Sequence, residues 1–366
     1  MRSWLGIRNW KRFSRVGKRV VALMVAVVFM ATSAGCSQTG SSPKSEGQKT
    51  VELRLAHFWP ATHPAETELV QPWAGAIEEA TAGKVKITSY PAQTLLPADG
   101  IYDGVVSGVA DIGISCFSYT RGRFPVLEVF ELPGITYNNS KVASKVAWEG
   151  IQELNPPEVQ DTKLLMVLTT GPGDLYTKTP VRKLEDLKGL EIRATGLSAK
   201  TLNAVRATPV AMPQSEAYEA LSKGVVKGNL GPVEVLQGWR QAEVTDYLTK
   251  TPFLYNTLFF VTMNRDKWDS LTPEIQKAIQ EVSEEYFEKV AIGLWDKQNE
   301  SALKFAVEQH NMEVIELSSA EKERWISLVK PIQDEFVARM DQEGFDGHKI
   351  LQTAETLAQK YNQEYK

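Results

Sequence analysis

The sequence predicts an α/β protein of two lobes. Three observations predict it: apolar strand-like runs alternate with amphipathic helical stretches from residue 51 onward, the alternation pauses and restarts near residue 171, and the last third reads as almost entirely helical. Strands interleaved with helices imply βαβ units and a mostly parallel sheet.

Each element has its own signal. Residues 51–57 alternate as a strand, and 64–82 form an amphipathic helix with Gly83 as its C-cap. A second strand follows over 84–90 and a short helix over 97–107. Residues 111–117 are apolar enough for a buried parallel strand. A helix over 140–154 and a strand over 163–169 complete the first set. "GPGD", 171–174, then interrupts as a hinge would. Beyond it come a strand over 190–194, a helix over 198–205, a helix over 215–223 capped by Gly224, and an apolar strand over 258–263. Thr272 is a good N-cap with Pro273 at the first helical position. From there to His310 no proline recurs, and about 35 helical residues reach roughly 50 Å, enough to brace both lobes. A bent pair of shorter helices is the alternative. Two more helices are expected over 319–342 and 347–365. The lobes are expected to take 51–170 with about 257–300, and 171–256 with about 301–366.

The N-terminus is a different kind of sequence. Arg2, Arg8, Lys11, Arg12, Arg15, Lys18 and Arg19 precede an apolar run over 20–32, with no acidic residue among them. That run is too short to span a bilayer and fits a signal-peptide h-region. "SAGC", 33–36, resembles a bacterial lipobox, with Ser33 where Leu is usual, so 1–36 reads as a lipoprotein signal peptide with Cys36 as lipid attachment site. Residues 37–50 are rich in Ser, Gly and Lys and read as a flexible tether. Removing the leader leaves 34 basic against 45 acidic residues, a net charge of −11. A body so acidic argues against nucleic acid, and any anion it captures must meet a local, desolvated cation. The one other cysteine, Cys116 in "DIGISCF", reads as a small buried residue, so no disulfide is available.

Enzyme signatures are missing. There is no G-x-S-x-G, Walker A, H-E-x-x-H or full G-x-G-x-x-G, and His57, His63, His310 and His348 lack metal-ligand spacing. No catalytic residue, metal or cofactor is expected. His57 and His63 flank "FWPAT" as loop histidines, either at the site or bonded to backbone. What remains suits a binding cleft. Aromatic residues recur at strand ends and loops, namely Trp59, Phe117, Trp239, Phe253 and Tyr255. In "EDLKGLEIRATG" the alternation of Leu190, Ile192 and Ala194 with Glu191 and Arg193 sets Arg193 at a strand's C-terminal edge, where open α/β sheets build ligand crevices. Its guanidinium either forks onto a carboxylate or sits at the surface in an ion pair.

"LEDLKGLEIRATG" resembles a segment of the DctP-type solute-binding proteins of TRAP (tripartite ATP-independent periplasmic) transporters, and the likeness runs through most of the chain. "WAGAIEEATAGKVKITSYPAQTL", "GVVSGVADIGIS", "FPVLEVFELPG" and "MPQSEAYEALSKGVVKG" resemble further family segments in order, with Lys227 where Asp is usual. The resemblance implies a periplasmic-binding-protein-like fold, with a ligand cleft between two α/β lobes. It implies an extracytoplasmic protein that delivers a small organic acid to small and large integral membrane subunits. The family's carboxylate-clamping arginine falls on Arg193. Gln214 falls on a pocket position, Thr195 follows the arginine by two, and Gly231 falls on a frequent Asn site. Residues 252–255 match a pocket loop, and Trp59 lies in the first loop.

A further arginine common in dicarboxylate binders is missing from "TTGPGDLYT", which favours a monocarboxylate. "GNLGPVEVLQGWR" replaces the usual acidic-Asn sequence, so backbone amides at its glycines stand in for lost side-chain donors; Gly173 is a further candidate ligand contact. Arg121 and Arg123 could substitute for the second clamp or could be exposed loop residues. The rival readings are a binding lipoprotein for an ABC importer or sensor, a lipid-anchored enzyme acting on small acids, and a structural lipoprotein.

Overall fold

The computed structural model describes residues 50–365. The leader, the lipobox with Cys36 and residues 37–49 lie outside the described residues.

The chain runs β1 (Val51–His57), a π-helical turn (Ala65–Val70), α1 (Gln71–Ala80), β2 (Val85–Tyr90), α2 (Ile101–Val106), β3 (Ile112–Cys116), α3 (Ser140–Leu154), β4 (Thr162–Thr169) and β5 (Asp174–Thr177). It continues through β6 (Glu191–Ala194), α4 (Ser198–Ala204), β7 (Thr208–Ala211), α5 (Gln214–Ser222), β8 (Gly228–Gly231), α6 (Val235–Gly238), β9 (Tyr247–Lys250) and β10 (Leu258–Asn264). The last part holds α7 (Arg265–Asp269), α8 (Pro273–Lys289), α9 (Leu294–His310), β11 (Glu313–Glu316), α10 (Ser319–Val329), α11 (Pro331–Gln342) and α12 (Gly347–Glu364).

These strands form two sheets, in the orders β2-β1-β3-β10-β4 and β11-β9-β5-β8-β6-β7. The first three strands of the five-stranded sheet are parallel, as the alternating pattern requires. One strand in each sheet runs the other way: β10 is antiparallel to β3 and β4, and β5 to β8 and β9. Those two strands receive the chain as it crosses between sheets. The crossings run side by side, with Gly173 N–H donating to Tyr255 O at 3.0 Å and Thr170 N–H to Thr257 O at 3.1 Å. Gly171 has a φ of +68°, open to glycine at little cost, and a Cβ there would lie 2.6 Å from the Ser140 backbone. The hinge-like "GPGD" is thus one half of a two-stranded connection whose last residue already begins β5.

The expected single brace is a pair. Residues 273–310 form α8 and α9, parted by a 3-10 turn at Ala291–Gly293. Ala291 and Ile292 are buried there, and the Ser140 hydroxyl donates to Ile292 O at 2.9 Å, taking up a carbonyl that a continuous helix would use. The bracing role survives the break. Helix α8 packs on α1 and β4, and α9 packs on α6 beside the second sheet. Helix α12 lies along α3, on the side of the first sheet. No helix among the described residues is long and apolar enough to cross a membrane.

Candidate functional site

Arg193 sits on β6 between Ile192 and Ala194, both fully buried, and is itself only 1% exposed. Its Nε donates to Met212 O at 3.0 Å, Nη1 reaches Asn229 Oδ1 at 3.4 Å, and Nη2 reaches Tyr119 Oη at 3.4 Å. Two of these three bonds are long, and every acceptor is neutral. Among the described residues no carboxylate oxygen lies within 4.0 Å of the guanidinium. A buried cation without a counter-charge costs several kcal/mol, so the site is electrostatically incomplete. The surface or ion-paired alternative for Arg193 is excluded by this geometry.

The surrounding residues come from both sheets. Tyr119, just past β3, also accepts from Gln214 N–H at 3.0 Å, so one hydroxyl joins the two sides of the cleft. Asn229 on β8 is held in turn by donating to Gln241 Oε1 at 2.9 Å. Arg193 opens onto a cavity of about 20 Å³, walled by the rings of Phe58, Trp59, Tyr119, Trp239, Tyr255 and Phe259. That volume holds about one water. Phe58 stacks on Trp239 at 6.1 Å and meets Tyr119 edge-on at 5.5 Å; Trp59 stacks on His63 at 6.1 Å. Burial pushes the Tyr119 and Tyr255 hydroxyls up, so both stay neutral donor–acceptors.

Several polar atoms on this wall have no partner among the described residues: Gln214 Nε2 and Oε1, and Trp239 Nε1. Buried polar groups are nearly always hydrogen-bonded, so such a concentration marks a surface built for a visitor. Glu234 lines the same wall, 4% exposed, and accepts from His63 at 3.2 Å. His63 Nδ1 accepts from Ala65 N–H at 3.1 Å, so in the neutral ring the hydrogen is on Nε2, directed at Glu234. His57 bonds to Glu66 at 2.8 Å and Ser89 at 3.1 Å and is absent from the cavity wall.

Of the residues expected at a site, the cavity gathers Arg193, Trp59, Gln214, Trp239 and Tyr255. Phe117 does not line it: its ring packs against Tyr102, Phe124 and Phe260 and faces a separate cavity of about 170 Å³ that also contains Glu131. Thr195 is occupied locally, its N–H bonding Ser198 Oγ at 2.9 Å where α4 begins. Phe253 belongs to the apolar core. Gly173 and Gly231 sit behind the wall. A Cβ on Gly173 would lie 2.4 Å from Tyr255 Cδ1 and 2.5 Å from Gly231 O, so glycine there permits close approach. Arg123 is paired with Asp103 and Asp161, and Arg121 lines the outer cleft with Thr195. Neither arginine joins Arg193.

Sequence reasoning missed Phe58, Tyr119, Asn229, Glu234 and Thr257. Asn229 stands two residues before Gly231, where the family resemblance looked for Asn, and side chains two apart on a strand share a face. Among the described residues, no cluster of three or more His, Cys, Asp or Glu could hold a metal.

Residues 55–340 match the model of the bacterial extracellular solute-binding proteins of family 7, DctP. A TRAP solute-binding protein from an unidentified marine microbe, specific for aromatic acid ligands and crystallised with 3-hydroxybenzoate, is 30% identical. That likeness covers 86% of this chain and 99% of that one, with a TM-score of 0.81. A Rhodoferax ferrireducens T118 TRAP solute-binding protein that carried copurified benzoate is 28% identical, over 87% of this chain and all of that one, with the same TM-score of 0.81. The 2,3-diketo-L-gulonate-binding periplasmic protein YiaO of Escherichia coli K12 is 27% identical over 57% of this chain and 65% of its own length. The chain belongs to the DctP family, the extracytoplasmic solute-binding proteins of TRAP transporters.

Proposed function

We propose that this protein captures a small aromatic monocarboxylate between its lobes and delivers it to the small and large membrane subunits of a TRAP transporter. A lipid on Cys36 holds it at the membrane, with 37–50 as tether. The observation that carries the reading is Arg193: a buried guanidinium with no carboxylate oxygen within 4.0 Å among the described residues, opening onto a cavity walled by aromatic rings. A planar fork of donors matches a carboxylate, and rings receive a ring by edge and face contacts.

The charge balance argues for one carboxylate rather than two. Among the described residues Arg193 is the one cation on the cavity wall, while Glu234 presents an anion that would repel a second carboxylate. Relatives that bind 3-hydroxybenzoate or benzoate at 30% and 28% identity support the same ligand class. Arg193 and Trp59 on the cavity wall are each 1% exposed, so capture requires the lobes to part and close again. The ligand's contacts with both sides then favour the closed state over the open one.

The test is calorimetric titration of refolded, ligand-stripped protein with benzoate, succinate and a short aliphatic acid. Benzoate should bind, succinate should not, and Arg193→Met should abolish benzoate binding. Binding of succinate in preference to benzoate, or full binding by Arg193→Met, would overturn the proposal.

A further inference from the structure

Glu234 is an unexpected residue for a cavity that attracts an anion. Its backbone N–H is fixed by Asn299 Oδ1 at 2.9 Å on α9. Its Oε2 accepts from His63 Nε2 at 3.2 Å, across the cleft from the loop after β1. Space is reserved for this pair: a Cβ on Gly238 would lie 2.7 Å from Glu234 Oε2 and 3.0 Å from His63 Nε2. The His63 ring is itself packed between Trp59 at 6.1 Å and Trp239 at 5.8 Å. One carboxylate oxygen is therefore occupied and oriented, while Oε1 takes no hydrogen bond from the described residues.

The same wall carries the indole N–H of Trp239, buried and without a partner among the described residues. A carboxylate accepts only, and an indole N–H donates only. The smallest neutral group that can serve both is a hydroxyl, which donates to one and accepts from the other. We infer that Glu234, oriented by His63, is a specificity residue that selects acids carrying a hydroxyl on the ring over unsubstituted ones. The inference rests on the proposed function and adds to it the group that the far end of the ligand must bear. His63 acts through Glu234 and is a positioning residue.

A ring without the hydroxyl leaves the buried indole N–H of Trp239 unpaired and offers Glu234 Oε1 no donor. That costs about 1–3 kcal/mol, or roughly 5- to 140-fold in affinity. The experiment compares dissociation constants for benzoate, 3- and 4-hydroxybenzoate and their methoxy ethers, using ligand-stripped wild type, Glu234→Met and Glu234→Gln. Wild type should prefer at least one hydroxybenzoate over benzoate by about tenfold or more, and the matching ether, which accepts but cannot donate, should lose that advantage. Glu234→Met should collapse the preference ratio, and Glu234→Gln, which keeps an acceptor oxygen, should restore part of it. Should the Met variant fail to fold, as read from its unfolding transition, the Gln variant and the ether comparison decide the matter.

Equal binding of benzoate and both hydroxybenzoates, with Arg193 still required, overturns the role of Glu234 and leaves the proposed function standing. A preference that persists in Glu234→Met also overturns it. Failure of every aromatic acid to bind removes both.

Discussion

Replacing Arg193 by Met should have opposite effects on the empty and the liganded protein. In the empty protein the guanidinium gives up hydration for three neutral acceptors, two of them at 3.4 Å. Removing an unpaired buried ion relieves a desolvation penalty of several kcal/mol that neutral hydrogen bonds only partly repay. Met212 O and Asn229 Oδ1 lose a donor in the variant, which costs about 1–3 kcal/mol. The two contributions nearly cancel. The ligand-free melting temperature should therefore hold steady or rise by about 2–4 °C, the shift that 1 kcal/mol produces in a domain of this size class. With ligand, the loss of a buried, hydrogen-bonded charge partner costs about 2–5 kcal/mol, or roughly 30- to 4000-fold in affinity. Differential scanning calorimetry with and without benzoate reads both effects in one experiment. A variant that melts well below wild type without ligand would show that Arg193 is a structural residue. A variant that keeps its ligand-induced rise would show that the carboxylate lies elsewhere.

Three further outcomes are expected. Gly173→Ala forces a Cβ to 2.5 Å from the Gly231 carbonyl oxygen; overpacking of this kind costs about 1–3 kcal/mol, measurable by urea denaturation, and should weaken ligand binding because Tyr255 must shift. Burial raises the Glu131 carboxyl from 4.5 to about 8, so the folded protein keeps a proton that the unfolded chain releases. The contribution of Glu131 to stability is complete below about pH 4.5 and is lost as pH rises through about 8. Glu131→Gln retains an acceptor for Leu258 N–H and should flatten the fall in unfolding free energy across that window; an unchanged pH profile would refute the assignment. Cys36→Ser should move the protein from the membrane fraction to the soluble fraction of expressing cells, and retention in membranes would remove the lipid anchor.

The parts of the fold legible in sequence were those with a long enough pattern. Strands β1, β3, β4 and β10 carry five to eight residues of alternation or continuous apolar side chains, and Arg193 stood out because its neighbours on β6 alternate. By contrast, "GNLG" has no strand propensity of its own; β8 exists because β5 and β6 supply hydrogen-bond partners on either side. The choice of Phe117 over Tyr119 failed for a geometric reason. The two residues span a 3-10 turn, Phe117–Tyr119, so period-2 reasoning from β3 stops at Cys116. Glu234 and His63 lie 171 positions apart, and nothing local in either neighbourhood announces the other.

The placement of β10 has a consequence for how such a chain leaves the cell. β10 lies between β3 and β4, so β4 has no seat in its sheet until Asn264 has been delivered. A polypeptide emerging amino end first would show its early strands as an unfinished surface for most of the journey. The native state is then out of reach on the inner face of the membrane for any partly threaded molecule, and slow long-range pairing becomes an aid to passage. Completion waits for the far side.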